Sequence, residues 1–181
     1  MTEIQRTAIL NPAEGLLVYQ TNNAKGFWYF ISGQWKSLSA LNNGGRSTLY
    51  LNNGITDSEA AARIALDVGP NTQAIVISGC TNLTTVDLSM ATRLSSINIA
   101  NNARLVSVNL DNLQILDGTL TITGNPKITT SLASHLQSLG GSQHRIESTR
   151  IVNLNLPALT EVDGQLVIQF DSSLLSINIP D

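Results

Sequence analysis

Charge is scarce in this sequence. Only 13% of its 181 residues are Asp, Glu, Lys or Arg, about half the share of an average soluble domain. The basic residues form no run and the formal net charge is −3, so the electrostatic footprint of a nucleic-acid binder is missing. A lone cysteine, Cys80, excludes an internal disulfide and a multi-cysteine metal site. The two histidines, His135 and His144, are not at ligand spacing, so no metal site is expected. There is no phosphate-binding glycine loop, dinucleotide fingerprint or nucleophile elbow, and no cofactor or catalytic residue is assigned. No stretch approaches the roughly 18 apolar residues of a membrane span. The opening Met1-Thr2-Glu3-Ile4-Gln5-Arg6 lacks the basic region and apolar core of a signal peptide. The expectation is a soluble chain made inside a cell, without membrane insertion, that can still enter an assembly leaving the cell.

Aromatics are also few, and unevenly placed. Tyr19, Phe27, Trp28, Tyr29, Phe30, Trp35 and Tyr50 lie in the first fifty residues, and only Phe170 follows. The two parts of the chain therefore have different cores. We place an aromatic module at residues 1–40, an Asn/Gly-rich linker at 41–55 and a repeat region at 56–181. In the module, residues 2–10 predict a short helix ending before Pro12. Strands are predicted at 16–21, 27–31 and 34–38, with a tight turn at Ser32-Gly33. A small antiparallel β-meander of this size is marginal alone in water. Its aromatics also exceed what one face can bury, so self-association is expected. Tyr19, Phe27, Trp28, Tyr29, Phe30 and Trp35 are the candidate assembly interface.

The repeat region carries paired apolar residues written x-Φ-x-Φ: Ile75/Ile77, Val86/Leu88, Ile97/Ile99, Val108/Leu110, Leu120/Ile122, Leu154/Leu156, Leu166/Ile168 and Ile177/Ile179. They recur every 11 or 12 residues, and the one long step, of 34, keeps the same register. A fixed period of this kind signals a stacked solenoid, whose units bury their apolar faces against their neighbours. The abundant Asn, Ser and Thr suit stacked polar surfaces. Ahead of the repeats, Thr56 and Glu59 fit a capping box. A helix is expected through residues 60–68, with Ala61, Ile64, Ala65 and Val68 on one face, stopped by Gly69-Pro70. It would cap the first coil.

The unit reads L-x-x-Φ-x-Φ-x-x-N, as in Ile75-x-Ile77-x-x-Cys80-x-x-Leu83. It resembles the leucine-rich-repeat consensus, in a form similar to short-repeat bacterial leucine-rich proteins and receptor L-domains. Because the motif returns every 11 residues, the expectation is two strand segments per coil of 22–23 residues, in roughly five coils. Residues 113–122 recur at 159–168, an offset of two such coils. Between them a second helix is expected at 130–139, with Leu132, Leu136 and Leu139 on one face. The fold class is therefore mainly β: a short leucine-rich-repeat-like β-solenoid with a capping helix and one inserted helix, preceded by the β-meander.

The string from Met1 to Thr21, followed by Gly26-Phe-Trp-Tyr-Phe30 and Ser32-Gly-Gln-Trp35, resembles a module of bacteriophage fibre proteins and bacterial surface proteins. Its familiar form is MTxxQRxAIxxPxxGLLVYxTxxxxGFYYYxGxxW. The resemblance implies a structural or adhesive role, often as a trimer. With the module at residue 1, anchoring would fall to the module itself or to a partner.

Asp117 and Asp163, both before glycine, and Asp87 with Asp111 are the carboxylates that a sugar-cleaving site would need paired; turn chemistry is the simpler reading of Asp-Gly. Cys80 takes the place where leucine-rich repeats use Asn or Cys to satisfy turn backbone from inside. The outward polar columns, Thr85/Ser96/Ser107 and Asp87/Asn98/Asn109, are the candidate binding face. The functional expectation is a non-enzymatic virion structural protein, a homotrimeric fibre or decoration protein contacting other virion proteins and a host-surface glycan or protein. A bacterial cell-surface or secreted leucine-rich adhesin is the alternative, and a polysaccharide depolymerase the third reading.

Overall fold

The computed structural model describes residues 1–23, 25–38, 45–129 and 133–180. The chain divides into two compact units, Met1–Asn43 and Gly44–Asp181. Most of the Asn/Gly stretch read as a boundary, residues 41–44, lies outside the described residues.

The first unit opens with α1 (Glu3–Thr7), started by a reciprocal cap. Thr2 Oγ1 accepts from Gln5 N–H at 3.3 Å and Gln5 Oε1 accepts from Thr2 N–H at 2.8 Å. Strands β1 (Leu17–Gln20), β2 (Gly26–Ile31) and β3 (Gln34–Ser37) form an antiparallel sheet in that order. Ser32 and Gly33, with φ of 51° and 75°, close the β2–β3 hairpin. Positive φ at both positions is what a two-residue loop needs to follow strand twist.

The second unit runs β4 (Thr48–Asn52), α2 (Asp57–Asp67), β5 (Ala74–Ser78), β6 (Thr85–Asp87), β7 (Arg93–Leu94), β8 (Ser96–Ala100), β9 (Ser107–Asn109) and β10 (Ile115–Leu116). It continues through β11 (Leu120–Thr123), β12 (Ser138–Leu139), β13 (Gln143–Glu147), β14 (Asn153–Asn155), β15 (Glu161–Val162), β16 (Gln165–Gln169) and β17 (Ser176–Asn178). Every strand pairing in this unit is parallel. One sheet is ordered β4-β5-β8-β11-β13-β16, a second β7-β10-β12-β15, and β6 pairs β9 as β14 pairs β17. This is a β-solenoid of about six turns.

Strand alternation places the apolar pairs inside, in columns. One column is Leu49, Ile75, Ile97 and Leu120; the next is Leu51, Ile77, Ile99, Ile122 and Ile146, all essentially buried. The short strands add a rung of Leu94, Leu116 and Leu139. Each such side chain contributes roughly 1.5–3 kcal/mol by leaving water.

A polar column runs inside the same coil corner. Cys80 N–H donates to Asn102 Oδ1 at 2.9 Å and Asn102 N–H to Asn125 Oδ1 at 3.1 Å. Asn102 Nδ2 donates to the Ile77 carbonyl and to Asn125 Oδ1, both at 3.0 Å, and Asn125 Nδ2 to the Ile99 carbonyl at 2.8 Å. Both asparagines are fully buried, and the ladder satisfies backbone that neither strand nor water reaches.

Four expectations are corrected. Residues 133–139 are not helical: Ser138–Leu139 is strand β12, and residues 130–132, where the inserted helix was to begin, lie outside the described residues. Among the described residues the turns β5–β7, β8–β10 and β13–β15 carry three strand segments each instead of two, because the two-residue strands form a side of their own. Thr48–Asn52, assigned to the linker, is the first strand of the six-stranded sheet. Finally, α2 does begin with the Thr56/Glu59 capping box, but its buried residues are Ala60 and Ile64, while Ala61 and Ala65 are exposed.

Candidate assembly face and outward polar columns

The β1–β3 sheet has two unlike faces. On one, Arg6 from α1 is only 4% exposed, with its guanidinium 3.9 Å from the Trp28 ring centre and 5.5 Å from that of Trp35. Arg6 Nε donates to Gln20 Oε1 at 2.7 Å, and Phe30 meets Trp35 edge-to-face at 5.4 Å. The charge is held by stacking, that hydrogen bond and Glu3 at 3.8 Å.

The other face carries Leu17, Tyr19, Phe27, Tyr29 and Ile31. Pairing sets Leu17 against Tyr29 and Tyr19 against Phe27, whose rings meet edge-to-face at 5.0 Å. Leu17 is 52% exposed and Phe27 49%. Strand parity thus divides the six aromatics named from sequence. Tyr19, Phe27 and Tyr29 lie on the open face; Trp28, Phe30 and Trp35 lie on the face covered by Arg6. Leu17 and Ile31 complete the open face and were missed. Their two-residue spacing from Tyr19 and Tyr29 was the available signal.

The outward polar columns are also redistributed. Thr85 pairs with Ser107 and Asp87 with Asn109, across β6 and β9. Ser96 and Asn98 sit on β8, in the six-stranded sheet, beside Ala74 and Val76. The six residues therefore belong to two sides of the coil. Asp87 accepts from Ser89 N–H at 3.0 Å, and that backbone donor, with the Ser89 hydroxyl, holds its carboxyl below the usual range. Thr85 is partly engaged by α2, donating to Asp57 through its N–H at 3.2 Å.

The carboxylates considered for sugar cleavage are not brought together. Asp117 accepts from Arg93 Nε and Nη2, both at 2.7 Å, and Asp87 faces Asn109 instead of Asp111. Asp163 is two turns from Asp117, with Gly140 at the turn between. Ser134 Oγ donates to Asp111 Oδ1 at 3.1 Å while His135 Nδ1 lies 2.6 Å from the Asp111 carbonyl, so the ring does not link serine to carboxylate. Cys80 is buried, and burial raises its thiol pKa. Among the described residues no group of His, Cys, Asp and Glu is arranged to hold a metal, and no helix is long and apolar enough to cross a membrane.

With this geometry in hand, residues 1–58 match a family model described as a phage tail like trimerisation region. No curated protein and no solved structure matches the chain. The matched segment contains the whole β1–β3 sheet and both of its faces.

Proposed function

We propose that this chain is a non-enzymatic structural protein of a phage tail or fibre, assembled as a homotrimer through the open face of its β1–β3 sheet. One observation carries this reading: the segment that matches a trimerisation region presents Leu17, Tyr19, Phe27 and Ile31, each 37–52% exposed, around a half-buried Tyr29 on one face of the sheet. A contiguous apolar face of that kind on a small sheet marks a protein contact. Three copies bring the faces together in a closed arrangement.

The solenoid is then the displayed part. Its polar columns, Thr85/Ser107 and Asp87/Asn109 on one side and Ser96 and Asn98 on another, are the surfaces offered to neighbouring virion proteins or to a host-surface glycan. Three such surfaces on one particle gain avidity without any one contact being strong. Light scattering after size exclusion tests the assembly. The wild-type chain is expected at three times the chain mass and Phe27→Glu at the mass of one chain. A monomeric wild type would sink the proposal.

A further inference from the structure

A cleft of about 300 Å³ runs between α2 and β6. Ile64 and Val86, both buried, form its floor, and Ala61, Ala65 and the half-exposed Met90 form its apolar lips. Alanine at both exposed helix positions keeps the space open. Asp57 and Asp87 stand in the same cleft.

The β6 backbone adds a second feature. Strand β6 pairs with β9 alone among the described residues. Leu88 N–H donates to the Asn109 carbonyl at 2.9 Å and so points to β9, whereas Thr85 N–H donates to Asp57 and points to α2. Alternation along the strand turns the Thr85 carbonyl and the Asp87 N–H to the α2 side as well. The cleft is therefore lined by a strand edge on which no strand is laid.

Charge is the third feature. Among the described residues neither Asp57 nor Asp87 has a cation partner, and the nearby arginines are engaged elsewhere, Arg63 with Asp67 and Arg93 with Asp117. The Thr84 hydroxyl holds the Asp57 carboxyl below its usual range, as the Ser89 N–H does that of Asp87, so both are ionised at neutral pH.

We propose that this cleft is a docking site for a lysine carried on an extended segment of a partner protein. The aliphatic stem lies over Ala61, Ile64 and Ala65, and the ammonium reaches Asp87 and Asp57. The segment's backbone follows β6, giving a donor to the Thr85 carbonyl and an acceptor to the Asp87 N–H. Lysine suits the site better than arginine. Asp57 already accepts from the N–H groups and hydroxyls of Thr84 and Thr85, which leaves room for a point charge and none for a two-pronged fork. A second copy of a chain with net charge −3 is the poorer occupant. Because the cleft shares Thr85 and Asp87 with the polar column offered to virion proteins, it rests on that reading of the column, and not on assembly through the β1–β3 sheet.

Methyl NMR of the full chain, labelled at Ala and Met, follows titration with a capped five-residue peptide that has lysine at its centre between two valines. Saturable shifts are expected at Ala61, Ala65 and Met90, with binding weakened by salt and about fivefold weaker for the same peptide with norleucine in place of lysine. Asp87→Asn keeps an oxygen for the Ser89 N–H and is expected to weaken the lysine peptide about fivefold while leaving the norleucine peptide unchanged. Ala65→Trp fills the cleft from an exposed helix position and should abolish binding of both. No saturable shift, equal binding of the two peptides, or undiminished binding by either variant overturns the proposal. Assembly larger than a trimer that Ala65→Trp abolishes also overturns it, because the occupant would then be the chain itself. Light scattering on the same samples reads the trimer separately, so failure of the cleft is told apart from failure of the assembly.

Discussion

The Asp57 carboxylate takes the place of a missing strand for Thr84. Asp57 Oδ1 accepts from Thr84 N–H at 2.7 Å and from Thr85 N–H at 3.2 Å. One coil later the same pair of donors, Val106 N–H and Ser107 N–H, is met by the Thr84 carbonyl, at 2.8 and 3.4 Å. In the first turn, α2 occupies the side where later coils have a short strand, and one side-chain oxygen at its first residue imitates the absent carbonyl. The helix therefore closes the solenoid by hydrogen bonding as well as by covering apolar surface.

Replacing Asp57 by Ala removes the acceptor from a half-buried backbone donor. We expect a loss of about 1–2 kcal/mol, read as a lower urea midpoint. The pH dependence follows from the direction of the shift. The Thr84 hydroxyl, then the Thr84 N–H, hold the Asp57 carboxyl below its ordinary 3.8. The folded-state pKa is depressed, so the stabilisation is present above that ordinary value and lost as pH falls through the lowered one. The gap between wild type and Asp57→Ala is thus expected to be flat from neutral pH to about 5 and to narrow below about 4. A gap that widened in acid would contradict the assignment.

Asn102 permits a second test with a chemical readout. Its side chain serves Cys80 N–H, the Ile77 carbonyl and Asn125 at once, with no exposure. Asn102→Ala leaves buried donors and acceptors unmet and is expected to cost about 3 kcal/mol. Cys80 sits against the damage. Its thiol, buried and with a raised pKa in the wild type, is expected to resist a thiol reagent for as long as the ladder holds. Labelling should quicken in Asn102→Ala, and an unchanged rate would show that the ladder does not hold this corner shut.

How far these features were readable depends on the residue at each rung. Paired Ile, Val and Leu announce themselves, so the coil period was visible from Ile75 to Ile122 and again from Leu154 to Ile179. The rung between fails to announce itself because its first member is His144, fully buried, with Nδ1 accepting from Leu120 N–H at 3.3 Å and Nε2 3.2 Å from the Asp163 carbonyl. A polar residue at an inward position broke the alternation, and the leucines nearby then mimicked a helical face. The two-residue strands were invisible for another reason: each turns a single side chain inward, such as Leu94 or Leu116, which leaves no alternation to detect. On the β1–β3 sheet, composition identified the aromatics, but only strand parity separates Phe27 from Trp28.

That separation makes a prediction about the first unit. Tyr19→Ser with Phe27→Ser changes only the open face, so the sheet should persist by circular dichroism while the trimer is lost. Arg6→Ala instead removes the guanidinium stacked on Trp28 and the bond to Gln20. It should alter tryptophan fluorescence and lower stability by about 1–2 kcal/mol. If both variants lost the sheet together, the two faces would not have the separate roles assigned to them.

Asp171 allows a change in the opposite direction. It stands in the column of Asn102 and Asn125, where its Oδ1 accepts from the Thr149 hydroxyl at 2.8 Å and from the Thr149 N–H. Its Oδ2 is buried with no hydrogen-bond partner among the described residues. In the two asparagines the corresponding atom is Nδ2, which donates to the Ile77 and Ile99 carbonyls. The strand register puts the Ile146 carbonyl in that place for residue 171. An amide therefore suits the site better than a carboxylate. Asp171→Asn keeps the acceptor for Thr149 and gains a donor for Ile146, and should stabilise the last coils by about 1 kcal/mol at neutral pH. Asp171→Ala should destabilise, because Thr149 N–H then loses its acceptor. Amide exchange at Thr149 and Ile151 would report both changes, and faster exchange in Asp171→Asn than in wild type would refute the proposed pairing.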